Sequence, residues 1–245
     1  MSADLLLFFP GVTEARFFPY LSLPTLTGYL RGRGHAVEQR DLNLALLERS
    51  SAAPGPVQVE AGASRVKPAL QAFMADHGEE VRRAAFGRAP SRFPWHVAAK
   101  LAWSHALRAM DGSILTRRHR RIADVVGAAF SIAAPSDVAD RTHAELVREA
   151  MATVRPRVVG VSVAYFSQLG PALRIARQLR DEHPEVTVVL GGAQIPLHGR
   201  ALARQPRLFE LVDAMIEGPG EPALAALLEG AAEVPGAFTR AGRER

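Results

Sequence analysis

The chain has 245 residues, 48% of them hydrophobic, no cysteine and a formal net charge of +5. That apolar share supports an ordinary buried core, while the missing cysteine excludes disulfides, thiolate zinc sites, a cysteine nucleophile and thiolate-held iron–sulfur clusters. No run of 18 or more apolar residues occurs, which argues against a membrane span, and the opening MSADLLLFFPG places an acid where a signal peptide needs a basic flank; a cytoplasmic protein is expected.

The positive charge is uneven. Between Val81 and Arg121, ten Lys and Arg residues stand against one acid, Asp111. That segment alone gives an anionic partner such as nucleic acid any support. Its aromatics, Phe86, Phe93, Trp95 and Trp103, fall at helical spacing, which marks a core more than a base-stacking surface.

In chain order, Asp4–Phe9 is a short apolar run ended by Pro10-Gly11, the pattern of a buried strand. After the loop VTEARFFPYLS, an amphipathic helix runs through LPTLTGYLRGRG, with Ser22 as its N-cap, Pro24 in the first turn and Gly32 and Gly34 at its end. HAVEQRDLN alternates as a second strand, so the first two strands are expected to be parallel. From Leu44 to about Val154 the chain uses far more residues than one connecting helix needs. SSAAPGPVQVEAGAS is a linker by composition, and helices are expected over 66–86, 94–110, 114–130 and 137–153, a helical insertion packed over one edge. RVVGVSVAY is a third buried strand, LGPALRIARQLRDEH a helix and VTVVLGG a fourth strand. A helix over roughly 198–206, a fifth strand in LVDAMIEG and a helix in EPALAALLEG complete the pattern. Five strands alternating with helices predict a flavodoxin-like (Rossmann-like), doubly wound α/β sheet of order 2-1-3-4-5. Residues 1–43 and 155–232 would form this α/β domain, 44–154 the helical insertion and 233–245 a C-terminal tail.

In an open parallel sheet a ligand sits beyond the carboxyl ends of the strands. Four such ends matter: Pro10-Gly11, Ser162 with Tyr165, Gly191-Gly192 followed by Gln194, and Gly218-Pro219-Gly220-Glu221. Most lack bulk, and a floor of glycine and serine suits a flat or extended ligand. For any one glycine a plain turn explains the residue equally well, and Glu221 also suits a helix dipole. No phosphate loop occurs, and Pro10-Gly11-Val12 replaces the dinucleotide-binding glycine pattern. None of the eight histidines pairs with another at H-x-x-x-H or H-E-x-x-H spacing, which argues against a zinc enzyme. Ser162 lies in Gly160-Val161-Ser162-Val163-Ala164 rather than G-x-S-x-G, so it has no hydrolase context.

Taken together, LLLFFPG, PYLSLPTLTGYLRGRGHAVEQRDLN, RPRVVGVSV, VVLGGAQIP and VDAMIEGPGEPALAALLEG resemble, in order and spacing, the cobalamin-binding domain at the amino end of cobalamin-dependent radical SAM proteins. The resemblance covers roughly 4–43 and 155–230. It implies cobalamin as the ligand, with Gly191 and Gly192 letting the nucleotide tail and corrin edge approach the backbone. Ser162 would hydrogen-bond the buried tail, the Pro10–Tyr20 loop would lie under the cobalt face, and Gly218–Glu221 would line the rim. The candidate cofactor-binding set is therefore Pro10, Gly11, Ser162, Tyr165, Gly191, Gly192, Gln194, Gly218, Gly220 and Glu221.

The chain departs from related patterns at three points. Methionine-synthase-like cobalamin domains carry D-x-H-x-x-G after the first strand, its histidine the lower cobalt ligand; here no histidine precedes His35, so cobalt is expected to lack a protein imidazole. Pro219 replaces Glu in the family's G-E-G-E turn. Radical SAM enzymes need C-x-x-x-C-x-x-C, so this chain cannot perform that chemistry alone. The resemblance thus implies a stand-alone cobalamin-binding protein, or the amino-terminal part of a larger enzyme, working with a radical SAM or methyl-transfer partner. The alternatives are a degenerate relative acting as a non-catalytic scaffold and, with less support, an Arg-rich nucleic-acid binder.

Overall fold

The computed structural model describes residues 3–11, 20–52, 68–87, 93–110, 113–117, 119, 121–131, 135, 137–231 and 233–240. A single sheet of order β2-β1-β3-β4-β5-β6 forms its spine. β1 (Leu5–Phe9), β2 (Val37–Asp41), β3 (Val158–Ser162), β4 (Thr187–Gly191) and β5 (Ala214–Ile216) are parallel, and β6 (Ala237–Thr239) runs antiparallel to β5. The doubly wound α/β class and the order of the first five strands are as expected, but the strand count is six rather than five. The sixth arises where a tail was expected: the chain turns at Gly236, at a φ of 67°, with the Glu217 carbonyl filling the space a Cβ would need. Only glycine meets both demands.

β1 and β3 are buried throughout, because helices cover both faces of a parallel sheet. Alternation along the strands sorts their side chains into two cores. Leu6, Phe8, Val159, Val161, Val188, Leu190 and Met215 belong to the larger one. Helices α2 (Leu42–Ala52), α5 (Ile122–Ser131), α6 (Val138–Val154), α7 (Leu169–Glu182), α8 (Gln194–Ala203) and α9 (Leu208–Leu211) all contribute side chains to it. Leu5, Leu7, Phe9, Val158, Val189 and Ile216 face the other way, against α1 (Ser22–Gly32) and α10 (Gly220–Leu228). α3 (Pro68–Ala85) and α4 (Trp95–Ala109) share a third cluster around Val81, Ala98 and Ala99.

Several local boundaries differ from the sequence expectation. α2 starts directly after β2, where the Asp41 carboxylate accepts a 2.8 Å hydrogen bond from the Leu44 amide and so caps the helix. The expected linker is helical as far as Ala52, and its remainder lies outside the described residues. The single helix expected over 114–130 is a 3-10 turn at Ile114–Thr116 followed by α5. Leu21 occupies the N-cap of α1 and Ser22 is its first helical residue.

Two buried polar side chains lie near the ends of the strands. Gln168 is fully buried. Its carbonyl oxygen accepts from the Ala164 and Tyr165 amides at 3.0 and 3.1 Å, and its Nε2 donates to the Pro10 carbonyl at 2.6 Å. One side chain thereby joins the ends of β1 and β3. On the larger-core face, His143 is 2% exposed, and its Nε2 has no hydrogen-bond partner among the described residues. Burial, and then the nearby Arg174 charge, push its pKa down to about 4. Arg174 itself pairs with buried Asp140 at 2.9 Å.

Gln168→Leu is expected to cost about 3 kcal/mol or more, because it strands buried backbone groups; a denaturant titration measures this. His143 takes up its proton near pH 6.5 when unfolded but only near pH 4 when folded. The unfolded state therefore binds more protons between these values, and stability falls as pH drops through that window. The loss should total about 3 kcal/mol at roughly 1.4 kcal/mol per unit. His143→Gln should flatten the dependence in unfolding curves taken from pH 7 to pH 4.

Candidate functional site

Along β3, Val158, Gly160 and Ser162 share the face turned toward α1 and α10. Ser162 pairs in register with Gly191 of β4, and Gly160 lies between Leu7 and Val189. Toward the carboxyl ends this face therefore thins to Gly160, Ser162 and Gly191. The sheet lacks the bulk to meet the two helices, and a cleft of about 750 Å³ opens between them, a size typical of small-molecule pockets. Leu7, Phe9, Val189 and Ile216 complete its floor. Ser22, Thr25 and Leu26 line it from α1; Gly220, Glu221 and Leu224 line it from α10. Exposed Leu21, Tyr165 and Pro196 also border it.

The two glycines at the end of β4 serve different ends. Gly192 has a φ of 96°, and a Cβ there would lie 2.6 Å from the Val163 carbonyl oxygen. The chain folds tightly over Val163, whose amide donates to the Gly191 carbonyl at 2.8 Å and whose carbonyl accepts from the Gln194 amide at 3.0 Å. Gly192 is thus required by the fold. A Cβ on Gly191 would meet nothing within 4 Å: its missing side chain leaves open cleft.

The lining is mostly apolar and aromatic. Tyr20 stacks on Phe9 with centroids 5.2 Å apart, and Tyr165 meets Tyr20 edge-on at 6.2 Å. Across the cleft, the Ser22 and Ser162 hydroxyl oxygens lie 3.1 Å apart. At Gly160 a Cβ would come within 2.8 Å of Leu7 Cδ2, so glycine preserves the depth of the floor.

Of the residues singled out in the sequence, Ser162, Tyr165, Gly191, Gly192, Gly218, Gly220 and Glu221 line this cleft. The structure does not bring Pro10, Gly11 or Gln194 to it. The Pro10 carbonyl is engaged by Gln168, and Gly11 faces Leu46 and His143 on the opposite side of the sheet. The Gln194 side chain donates to the Ala164 carbonyl at 3.0 Å. Residues 12–19 of the Pro10–Tyr20 loop lie outside the described residues. Gly160, Ser22, Thr25 and Leu26 were missed, and Tyr20 was expected only as the end of the Pro10–Tyr20 loop. Gly160 could have been found, since it sits two residues before Ser162 on the same strand face. Nothing in the sequence places the start of α1 opposite β3.

Residues 112–228 match the family model of the B12 binding domain. The match spans just under half of the chain, takes in Ser162, Gly191, Gly192 and Gly218–Glu221, and supports a cobalamin-binding domain. The floor strand β1 and the wall helix α1 lie outside the matched residues. Neither the curated proteins nor the solved structures yield a match. Among the described residues, no group of three or more His, Cys, Asp or Glu side chains is placed to hold a metal ion, and no helix is long and apolar enough to cross a membrane.

Gly192→Ala is expected to destabilise the protein by about 3 kcal/mol or more, since it combines a positive φ with backbone overlap. Gly191→Ala should change stability by less than about 1 kcal/mol. Thermal unfolding of the two variants separates them.

Proposed function

We propose that the protein binds cobalamin with its nucleotide tail in the cleft between the sheet and helices α1 and α10. The corrin then lies over the carboxyl ends of the strands, and the protein serves a radical SAM or methyl-transfer partner. The observation that carries this reading is the lack of bulk at Gly160, Ser162 and Gly191: Gly191 borders open space, Gly160 keeps the floor deep beside Leu7, and Ser162 offers a hydroxyl. This bare floor falls within the stretch that matches the B12 binding domain.

The residues fit the group. A flat heterocycle can lie on the Gly160 and Gly191 backbone between Leu26 and Leu224, and the serine hydroxyls meet its polar edge. Tyr20, Leu21 and Tyr165 supply apolar surface that excludes water around it. Gly218 and Glu221 border the cleft from the α10 side. Bound cobalamin would supply a cobalt able to accept and donate a methyl group, and the role of this chain is to hold and orient it.

We further propose that cobalt is held without a protein imidazole. In support, no histidine precedes His35 in the sequence, and none is found among the described residues lining the cleft. The partner proposal rests on composition: a radical SAM cluster needs cysteines, and this sequence has none.

Titration with hydroxocobalamin should perturb the corrin spectrum, and the corrin should co-elute with the protein on gel filtration. Absence of retention would overturn the reading in favour of a scaffold that does not bind cobalamin. Gly191→Trp fills open space without straining the backbone, so it should weaken binding by about 100-fold or more while leaving the unfolding temperature near that of the wild type.

A further inference from the structure

We infer that Ser22 is a positioning residue that aims the Ser162 hydroxyl at an acceptor atom, a ring nitrogen, on the buried end of the corrinoid tail. The inference rests on the preceding reading that the tail occupies the cleft. It makes the protein selective for corrinoids whose tail carries such a nitrogen.

Ser22 and Ser162 are 140 residues apart in sequence, yet their hydroxyl oxygens lie 3.1 Å apart where α1 crosses the end of β3. The N-cap position of α1 is held by Leu21, without a side-chain cap hydrogen bond, so Ser22 is not there to cap the helix. Both serines line the cleft, and Ser162 is 5% exposed.

Two hydroxyls carry two protons between them. One proton is used in the bond joining the oxygens. With Ser22 donating to Ser162, the Ser162 proton is left to point into the cleft, and a hydroxyl that accepts one hydrogen bond becomes a stronger donor of the next. A tail base seated in the cleft would place its ring nitrogen among the side chains of this lining. Left unpaired among Leu26, Val189 and Leu224, that nitrogen would oppose binding. Glu221, the one carboxylate among the described residues of the lining, offers no proton when ionised. The serine pair supplies what the nitrogen requires.

The test titrates wild type, Ser22→Ala and Ser22→Thr with cobalamin and with cobinamide, which lacks the tail, and checks each protein by thermal unfolding. The wild type should prefer cobalamin. Ser22→Ala should lose about 5- to 10-fold in cobalamin affinity, keep its cobinamide affinity within about twofold and unfold at an unchanged temperature. Ser22→Thr, which restores a hydroxyl, should recover most of the loss. If the wild type prefers cobalamin but Ser22→Ala binds it equally well, or loses both ligands equally, the role of Ser22 is overturned and the cleft reading stands. If the wild type retains neither ligand, or does not distinguish them, the cleft reading falls and this inference with it.

Discussion

The amide of Gln168 joins the two strands on either side of the point where the sheet changes direction. After β1 the chain leaves for α1 on one face; after β3 it leaves for α7 on the other. Neighbouring strand ends whose continuations diverge create the crevice of every open parallel sheet, and they also leave backbone groups there without sheet partners. Gln168 satisfies three of those groups from one fully buried side chain. The positions of Ser162 and Tyr165 relative to Phe9 and Tyr20 follow from that link, and hence so does the width of the cleft between them.

The cleft itself is shaped by omission. Glycine at 160 spares the tip of Leu7, glycine at 191 leaves open space, and glycine at 192 lets the chain pass over Val163. These are three separate physical reasons for one residue type within one short region. A pair of adjacent glycines therefore cannot be read as one signal: one member answers to backbone crowding and the other to the cavity. The polar content is equally sparing, and the best-placed polar contact, between Ser22 and Ser162, bridges two elements far apart in the chain.

The sheet was legible because strands buried on both faces read as unbroken apolar runs bounded by glycine and proline, as in LLLFF and VVGVS. The strand order followed from the alternation with helices. β6 was not legible: a three-residue AFT has no periodicity, and it is a strand only because β5 has a free edge beside it. The same holds for the start of α2, where Asp41 acts as a cap that a strand reading absorbed. In the site, strand-end residues were found because the sheet class says where to look. Ser22 and Leu26 were not, since a helix wall is defined by what it faces. Gln168 is a polar residue near a strand end, and only its three partners reveal what it does.

The two cores of this protein are unequal. Among the described residues, seven helices contribute to the larger one, α4 through Ala106, whereas the core containing Leu7, Phe9 and Val189 is roofed by α1 and α10 and is interrupted by the cleft. In packing terms this smaller core is unfinished. A molecule that fills it takes the place of the side chains absent at Gly160 and Gly191, contributing apolar contacts that the polypeptide does not make for itself. Such a ligand acts as a structural component as well as cargo, and its departure re-exposes the interior of a fold to water.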